Sequence, residues 1–330
     1  MFKVFQVDAD DSLEPYDFEN AALSEAGGSI ICGNCVSEDE LIAGAQDAKI
    51  LWLAWKPGIT RSVMEALPNL ELAVRWGVGY DQMDLASASE LGVAIANAPG
   101  YGTIDVAEHV IALMMSASRR VAWFNEEMMA GGWPPAVPGS IHRILGSTLG
   151  IVGVGRIGSA VAQRARGLGM EVVGYDSSLT SEQLLERGVK PVSLEHLLNS
   201  SDVVSLHVPL NAETGHFMNA EKLSLMKPGA GLINASRGKI VDTKAVSLAL
   251  VKGTLAWAAL DVFEQEPLPA DDPVRKSPNV ILTPHVAGYS VESWQDLREE
   301  MCKTTLDWVR TGWASTIVNP EVRGSLRRDR

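Results

Sequence analysis

Residues 149–158 read Leu-Gly-Ile-Val-Gly-Val-Gly-Arg-Ile-Gly, and Asp176 stands eighteen residues beyond Gly158. An apolar run, a Gly-x-Gly-x-x-Gly turn and a helical stripe (Ile157, Ala160, Val161, Ala165) describe a strand that turns sharply into a helix. Met170–Tyr175 reads as the next strand, with Asp176 at its end. Each part has a task in holding a dinucleotide. Gly153 makes the turn, Gly155 lets the backbone approach a pyrophosphate, and Gly158 lets the helix pack on the strand. The helix start near Arg156 and Ile157 offers N–H groups and a positive dipole end. A carboxylate at Asp176 accepts from a ribose 2′-hydroxyl and repels a 2′-phosphate. Ser177 and Ser178 follow it rather than arginines, so NAD is expected rather than NADP. A glycine turn without a cofactor is the plain alternative, and the elements on both sides of the turn weigh against it.

Strand-like runs alternate with helical stretches along the whole chain. Before residue 100 the strands are expected near Lys3–Val7, Ser29–Cys32, Ile50–Trp55, Leu72–Arg75 and Val93–Asn97. Ser37–Ala48 and Asp84–Leu91 have helical spacing, with Ser37 and Asp84 as N-caps. A second series follows at Thr148–Val152, Glu171–Gly174, Val203–His207, Gly231–Asn234, Ala256–Leu260 and Val280–Leu282. Such alternation predicts parallel sheets with crossover helices. The expected fold class is α/β, with two doubly wound parallel-sheet domains. Residues 1–100 and 288–330 are expected to form one domain, with 101–287 inserted as the dinucleotide-binding domain. Ile104–Ala130 is predicted as one long helix, apolar nearly all round over Val106–Ser118 and therefore buried. The loop Gly131–Gly146, with Trp133, Pro134, Pro135 and Pro138, is too irregular for an element and is read as reaching toward a partner chain. After Val286 a helix is expected from about Ser290 to Thr311, then an extended stretch at Ser315–Val318.

Lys plus Arg number 28 and Asp plus Glu 41, a net charge of −13. An acidic chain repels phosphate backbones, so no nucleic-acid partner is expected. The basic tail (Arg323, Arg327, Arg328, Arg330) is read as a solvated, mobile end. No apolar stretch approaches the ~20 residues of a membrane span, so no membrane partner is expected. The N-terminus lacks the cationic start and apolar core of a secretory signal. Cys32 and Cys35 have C-x-x-C spacing, but one pair is poor evidence for zinc or redox work, and no metal is expected. A cytoplasmic setting fits these features.

Chemistry on an alcohol or ketone beside a nicotinamide needs a proton donor, a cationic clamp and a device that sets the donor's charge. Arg237 in Asn234-Ala-Ser-Arg-Gly238 follows an apolar strand and could clamp a carboxylate; a surface ion pair is the alternative. Glu266 ends Leu260-Asp-Val-Phe-Glu-Gln-Glu266, and His285 follows another strand in Thr283-Pro-His-Val286. A His–Glu pair would favour the imidazolium, which can protonate a ketone oxygen. Spacing alone does not show that the two touch.

The ordered set of motifs resembles the NAD-dependent D-isomer-specific 2-hydroxyacid dehydrogenases over nearly the whole chain. The matching blocks are Arg75-Trp-Gly-Val-Gly-Tyr-Asp81, Tyr101–Glu108, Leu149–Gly158, Ser205–Leu210, Asn234–Gly238, Leu260–Pro267 and Thr283–His285. The resemblance implies a Rossmann NAD domain inserted into a flavodoxin-like substrate domain, and NAD as cofactor. It implies reversible hydride transfer between NAD(H) and a small 2-hydroxy or 2-oxo acid by a homodimer. His285 would be the acid/base, Glu266 its partner and Arg237 the substrate clamp. Backbone groups of Val78 and Gly79 would bind the substrate carboxylate. Arg156 and Ile157 would meet the pyrophosphate. His207, Val208, Pro209 and Thr214 would line the adenosine side, while Ala235 and Asp261 would border the nicotinamide, Asp261 accepting from its carboxamide.

Asn97–Thr103, Tyr289–Ser293 and Val318–Val322 are similar to the branch of C-terminal-binding-protein-like dehydrogenases. That branch often carries tryptophan where Gly288 stands here. Phosphite oxidation and a nucleotide-sensing corepressor are the alternative functions, and formate oxidation fits less well because Glu266 is present. His109 is read as a packed or interface residue, His142, His196 and His216 as loop or helix-end residues, and Trp133 and Trp257 as packing residues.

Overall fold

The computed structural model describes residues 1–9, 16–134 and 140–329. Pro135 and Pro138 of the Gly131–Gly146 loop, and Arg330 of the tail, lie outside them. The chain forms two compact units, Met1–Gly102 with Ser290–Arg330, and Thr103–Tyr289.

The first unit holds strands β1 (Phe2–Gln6), β2 (Gly28–Cys32), β3 (Ile50–Leu53), β4 (Leu72–Arg75) and β5 (Ala94–Ala96). All pair in parallel, in the order β2-β1-β3-β4-β5. This is the flavodoxin-like winding. Its helices are α1 (Asp17–Ser24), α2 (Glu38–Gly44), α3 (Arg61–Ala66) and α4 (Leu85–Leu91). Strands buried on both faces must be apolar at every position, and side-chain alternation sorts them into two cores. Val4, Trp52, Val74 and Ala96 pack with Leu23 of α1 and with Leu297 and Met301 further along the chain. Phe5, Leu51, Leu53 and Ile95 pack with Leu41, Val63 and Ala88 on the other face. Ser37 and Asp84 cap α2 and α4 by accepting from the backbone N–H of Glu40 and Ser87.

The second unit begins with α5 (Thr103–Ser118) and α6 (Val121–Met129). The single helix expected over Ile104–Ala130 is therefore two. Arg120 between them is left-handed at φ 57°, and its guanidinium bonds the side chain of Asn279. Within Val106–Ser118, α5 buries one face (Ala107, Val110, Leu113, Met114, Ala117), while Val106, Ile111 and Met115 are half-buried and Ala112 is exposed in the single chain. No residue of α6 is buried.

The sheet of this unit has β6 (Thr148–Val152), β7 (Glu171–Tyr175), β8 (Lys190–Pro191), β9 (Val203–Leu206), β10 (Ala230–Asn234), β11 (Leu255–Leu260) and β12 (Val280–Leu282). The order β12-β11-β10-β9-β6-β7-β8 is the Rossmann winding with one further strand beyond the sixth. The remaining helices of the unit are α7 (Arg156–Gly167), α8 (Ser181–Glu186), α9 (Leu194–Ser200), α10 (Ala220–Ser224) and α11 (Thr243–Val251). α5, α7 and α8 share one core with Ile151, Ile233 and Ala259. α9, α10 and α11 share the other with Val152, Val204 and Leu232.

α12 (Val291–Thr311) returns the chain to the first unit. Its buried Thr305 accepts a hydrogen bond from the Trp52 indole at 3.0 Å. Arg298 donates to the fully buried Glu19 of α1 at 2.6 Å. The stretch expected to extend over Ser315–Val318 reduces to an antiparallel bridge between Ile317 and Ala96.

The tail is not a solvated end. The Arg327 guanidinium donates to the carbonyls of Met64 (2.8 Å), Leu67 (2.7 Å) and Leu91 (2.8 Å), which close α3 and α4. Arg328 lies over the Trp308 ring and donates to its carbonyl at 2.6 Å. Carbonyls at helix ends lack intrahelical partners, and a guanidinium fork satisfies several at once.

Candidate active site

The carboxyl ends of six neighbouring strands carry, in order from β12 to β7, His285, Glu266, Arg237, His207, the glycine turn and Asp176. Open parallel sheets bind ligands along this edge, where the strand order reverses.

At the turn after β6, the three glycines answer to different constraints. Gly153 has φ +89°, and a Cβ there would sit 2.6 Å from the His207 carbonyl oxygen. A Cβ on Gly158 would meet the Gly153 carbonyl oxygen at 2.2 Å. Packing alone therefore demands those two. Around Gly155 a Cβ would touch nothing within 4 Å. The described residues leave that side of the backbone open to a group approaching from outside. Gly155 is the N-cap of α7 and supplies no side-chain acceptor, so the first N–H groups of this twelve-residue helix stay available to an anion. Arg156 is exposed and Ile157 half-buried at this helix start.

Asp176 is fixed in place. Its Oδ2 accepts from Val154 N at 2.8 Å, and its Oδ1 from Ser178 N at 2.9 Å and Ser178 Oγ at 2.7 Å. Burial pushes its carboxyl up, but these hydrogen bonds more than offset that, and it lies below the usual carboxylate range. The carboxylate expected to face a ribose is thus ionised and oriented. The chain after β9 backs the glycine turn: His207 N donates to Val152 O at 2.7 Å. The His207 ring pairs with the fully buried Ser205 Oγ at 2.8 Å, and burial brings its pKa down to about 4. Thr214 closes the following loop by donating to the Pro209 carbonyl at 2.6 Å.

At the other end of the edge, His285 Nδ1 lies 2.7 Å from Glu266 Oε2. The second Glu266 oxygen accepts from Phe263 N at 2.9 Å, which holds the carboxylate on its own turn. Burial raises the Glu266 carboxyl. The bonds from His285 and Phe263, with the charges of His285 and Arg237, pull it further the other way, so it ends below its ordinary value. The Arg237 charge therefore reaches Glu266. Asn234 anchors the arginine turn, donating to Arg237 O at 2.9 Å and accepting from Ser236 N and Oγ at 3.1 and 2.7 Å. Ala235 lies half-buried inside that turn.

Asp261 departs from its expected task. It is fully buried, and its carboxylate already accepts from Thr283 Oγ1 (2.6 Å), Val286 N (3.0 Å) and Ala287 N (3.0 Å). Its carbonyl accepts from His285 N at 2.7 Å. A carboxylate with no surface braces the turn that carries His285, rather than offering an open oxygen to a carboxamide. That turn needs bracing because His285 is left-handed at φ 56°. His109 of α5 joins the brace, with Nε2 at 3.1 Å from Thr283 Oγ1 and 3.6 Å from Asp261. The apolar surroundings of His109 in the sequence gave no sign of this.

Val78 and Gly79 lie in the first unit, half-buried just past β4, and Asn97 Nδ2 donates to Val78 O at 2.6 Å. Gly77 before them has φ +138°. Of the other expectations, Trp257 is a packing residue at 7% exposure, whereas Trp133 is 84% exposed among the described residues. Cys32 and Cys35 form no disulfide among the described residues; Cys35 is buried in the core beside Phe5 and Leu41. Among the described residues no group of three or more His, Cys, Asp or Glu is arranged to hold a metal ion.

A dinucleotide cradle at one end of a sheet edge and a hydrogen-bonded acid–base pair at the other are the parts of a nicotinamide-dependent oxidoreductase. Comparison with known proteins narrows the class. The NAD binding domain of D-isomer specific 2-hydroxyacid dehydrogenases matches residues 111–287. A glyoxylate reductase of Korarchaeum cryptofilum is 42% identical over 289 residues, 87% of either chain. The structure of a glyoxylate reductase from Paecilomyes thermophila covers 97% of this chain and 99% of its own, at 29% identity and a TM-score of 0.88. That of a D-lactate dehydrogenase from Aquifex aeolicus, complexed with NAD and lactic acid, covers 96% and 99%, at 31% identity and a TM-score of 0.83. The chain belongs to the D-isomer-specific 2-hydroxyacid dehydrogenase family. It is an oxidoreductase that acts on a CH–OH group with NAD as cofactor.

Proposed function

We propose that the chain interconverts a small 2-oxo acid and its 2-hydroxy acid, with His285 as the acid/base. The observation that carries this is the 2.7 Å contact of His285 with a Glu266 whose carboxyl also feels Arg237. NAD(H), when bound, supplies or accepts the hydride. Arg237 clamps the substrate through a guanidinium fork, and the backbone of Val78 and Gly79 takes its carboxylate. Glu266 accepts from Nδ1 of His285, which leaves Nε2 to hold the proton that passes to the substrate oxygen. In the oxidising direction neutral His285 removes that proton. The glycine turn, Arg156 and Ile157 hold the pyrophosphate, and Asp176 the adenosine ribose. His207, Val208, Pro209 and Thr214 line the adenosine side, and Ala235 and His285 the nicotinamide side, with Asp261 bracing the His285 turn from behind.

Similarity to glyoxylate reductases makes glyoxylate the first substrate to try. A panel of glyoxylate, hydroxypyruvate, pyruvate, longer 2-oxo acids and phosphite, followed at 340 nm, tests the reading. NADH oxidation by at least one 2-oxo acid is expected. Turnover of phosphite alone would replace it with phosphite oxidation. We place a homodimer contact on the second unit, where Val121, Met128, Met129 and Trp133 are exposed. Three cysteines that form no disulfide among the described residues suit a reducing, cytoplasmic setting.

A further inference from the structure

Glu264, in the loop after β11 and two residues before Glu266, forms a second histidine–carboxylate pair with His216 of the loop after β9. His216 Nε2 lies 2.8 Å from Glu264 Oε2. The other Glu264 oxygen accepts from Thr243 N, the first residue of α11, at 3.1 Å. Glu264 thus ties together three loops that follow three different strands.

Each of those loops carries part of the proposed machinery. His216 closes the loop that contains Thr214, on the adenosine side. Its own N–H donates to Lys239 O at 2.7 Å, and Met218 bridges Val241 in parallel, which stitches this loop to the Arg237 turn. On that turn, Gly238 is pressed so close to Phe263 that a Cβ would sit 1.9 Å from its backbone. Phe263 N in turn donates to Glu266. A continuous chain of contacts therefore runs from Thr214 through His216, Glu264 and Phe263 to Glu266 and His285.

The pair is a poor stability device. The His216 and Glu264 side chains are 53% and 35% exposed, where ion pairs contribute little to folding. His216 is also left-handed at φ 47°, a conformation that favours glycine or asparagine. A histidine held there without a stability return points to a task for the ring.

We propose that His216 and Glu264 form a latch that makes the orientation of Glu266 and His285 depend on how the adenosine-side loop is seated. They are positioning residues: neither touches the reacting atoms, and the coenzyme's adenosine half acts on the acid–base pair through them. This rests on the function proposed above.

His216→Gly tests the latch, because glycine accepts the backbone and only the ring is lost. Alongside it stand Glu264→Ala, the double variant and the conservative Glu264→Gln. NADH affinity is read by fluorescence, and kcat and KM by absorbance with the best 2-oxo acid. His216→Gly and Glu264→Ala should each weaken NADH binding and lower kcat on the order of tenfold, with the melting temperature moved by less than about 3 °C. The double variant should be no worse than either single one, and Glu264→Gln should recover most of the loss. Wild-type NADH affinity and kcat in both single variants would overturn the latch. So would additive losses in the double variant, or losses that track a fall in melting temperature. Wild-type turnover is judged separately: were no 2-oxo acid reduced, the proposed function would fail, while NADH affinity would still decide the latch.

Discussion

Nδ1 of His285 and Oε2 of Glu266 lie 2.7 Å apart on turns that follow two adjacent parallel strands, β12 and β11. Neither turn is free to drift. Phe263 N holds the glutamate, and Asp261 holds the histidine turn through both its carboxylate and its carbonyl. One short sheet pairing thus sets the geometry of an acid–base pair whose members are nineteen residues apart in sequence.

Glu266→Gln should lower kcat on the order of 10²-fold, because the amide no longer stabilises the charged imidazole. The same carboxylate links stability to pH. Its pKa is lower in the folded chain than the 4.5 of the free group. The stabilisation is therefore complete above about 4.5 and is lost as the pH falls through the depressed folded value. Urea titrations from pH 6 down to pH 3 should show a shallower acid loss in Glu266→Gln than in the wild type.

His207 acts over a different window. Burial lowers its pKa from 6.5 to about 4, so the unfolded chain binds a proton that the folded chain refuses. Stability should fall as the pH drops from 6.5 toward 4, and His207→Gln should flatten that part of the curve. Equal slopes in the two proteins would show that the ring accepts a proton in place.

Asp176 decides between coenzymes. Asp176→Ser should shift the ratio of kcat/KM for NADH over NADPH on the order of tenfold or more toward NADPH. The melting temperature checks that the lost bond to Val154 N has not loosened the turn. An unaltered ratio would mean that another group reads the ribose.

Arg327 is the tail's anchor. Arg327→Ala removes the donor to the Met64 and Leu91 carbonyls and one of the two donors to the Leu67 carbonyl, and should cost about 2–4 kcal/mol. Arg327→Lys should recover only part of this, since an ammonium cannot span the three acceptors as a fork does. Thermal unfolding of the full chain is the readout.

The winding of both sheets was legible because parallel strands covered on two faces are largely apolar, as Ile50–Leu53 and Leu72–Val74 are. The glycine turn and the post-strand positions of Arg237, Glu266 and His285 were legible for a related reason: loops at strand ends collect polar residues that no core explains. What stayed hidden depends on contacts distant in sequence. The break at Arg120 comes from its bond to Asn279, and the docking of Arg327 from carbonyls more than two hundred residues away. β8, only two residues long, has no periodicity to detect. The bracing by Asp261 and His109 could not be read either, since an acid and a half-buried histidine look alike in sequence whether they meet a ligand or each other.

In the proposed reaction the His285 imidazole moves the proton while other residues hold the coenzyme. The direct measurement is single-turnover reduction of glyoxylate, or of the best 2-oxo acid found, by His285→Ala, with NADH binding measured on the same sample. The rate should fall on the order of 10²–10⁴-fold with NADH affinity within a few-fold of wild type. A wild-type rate in that variant would contradict the account.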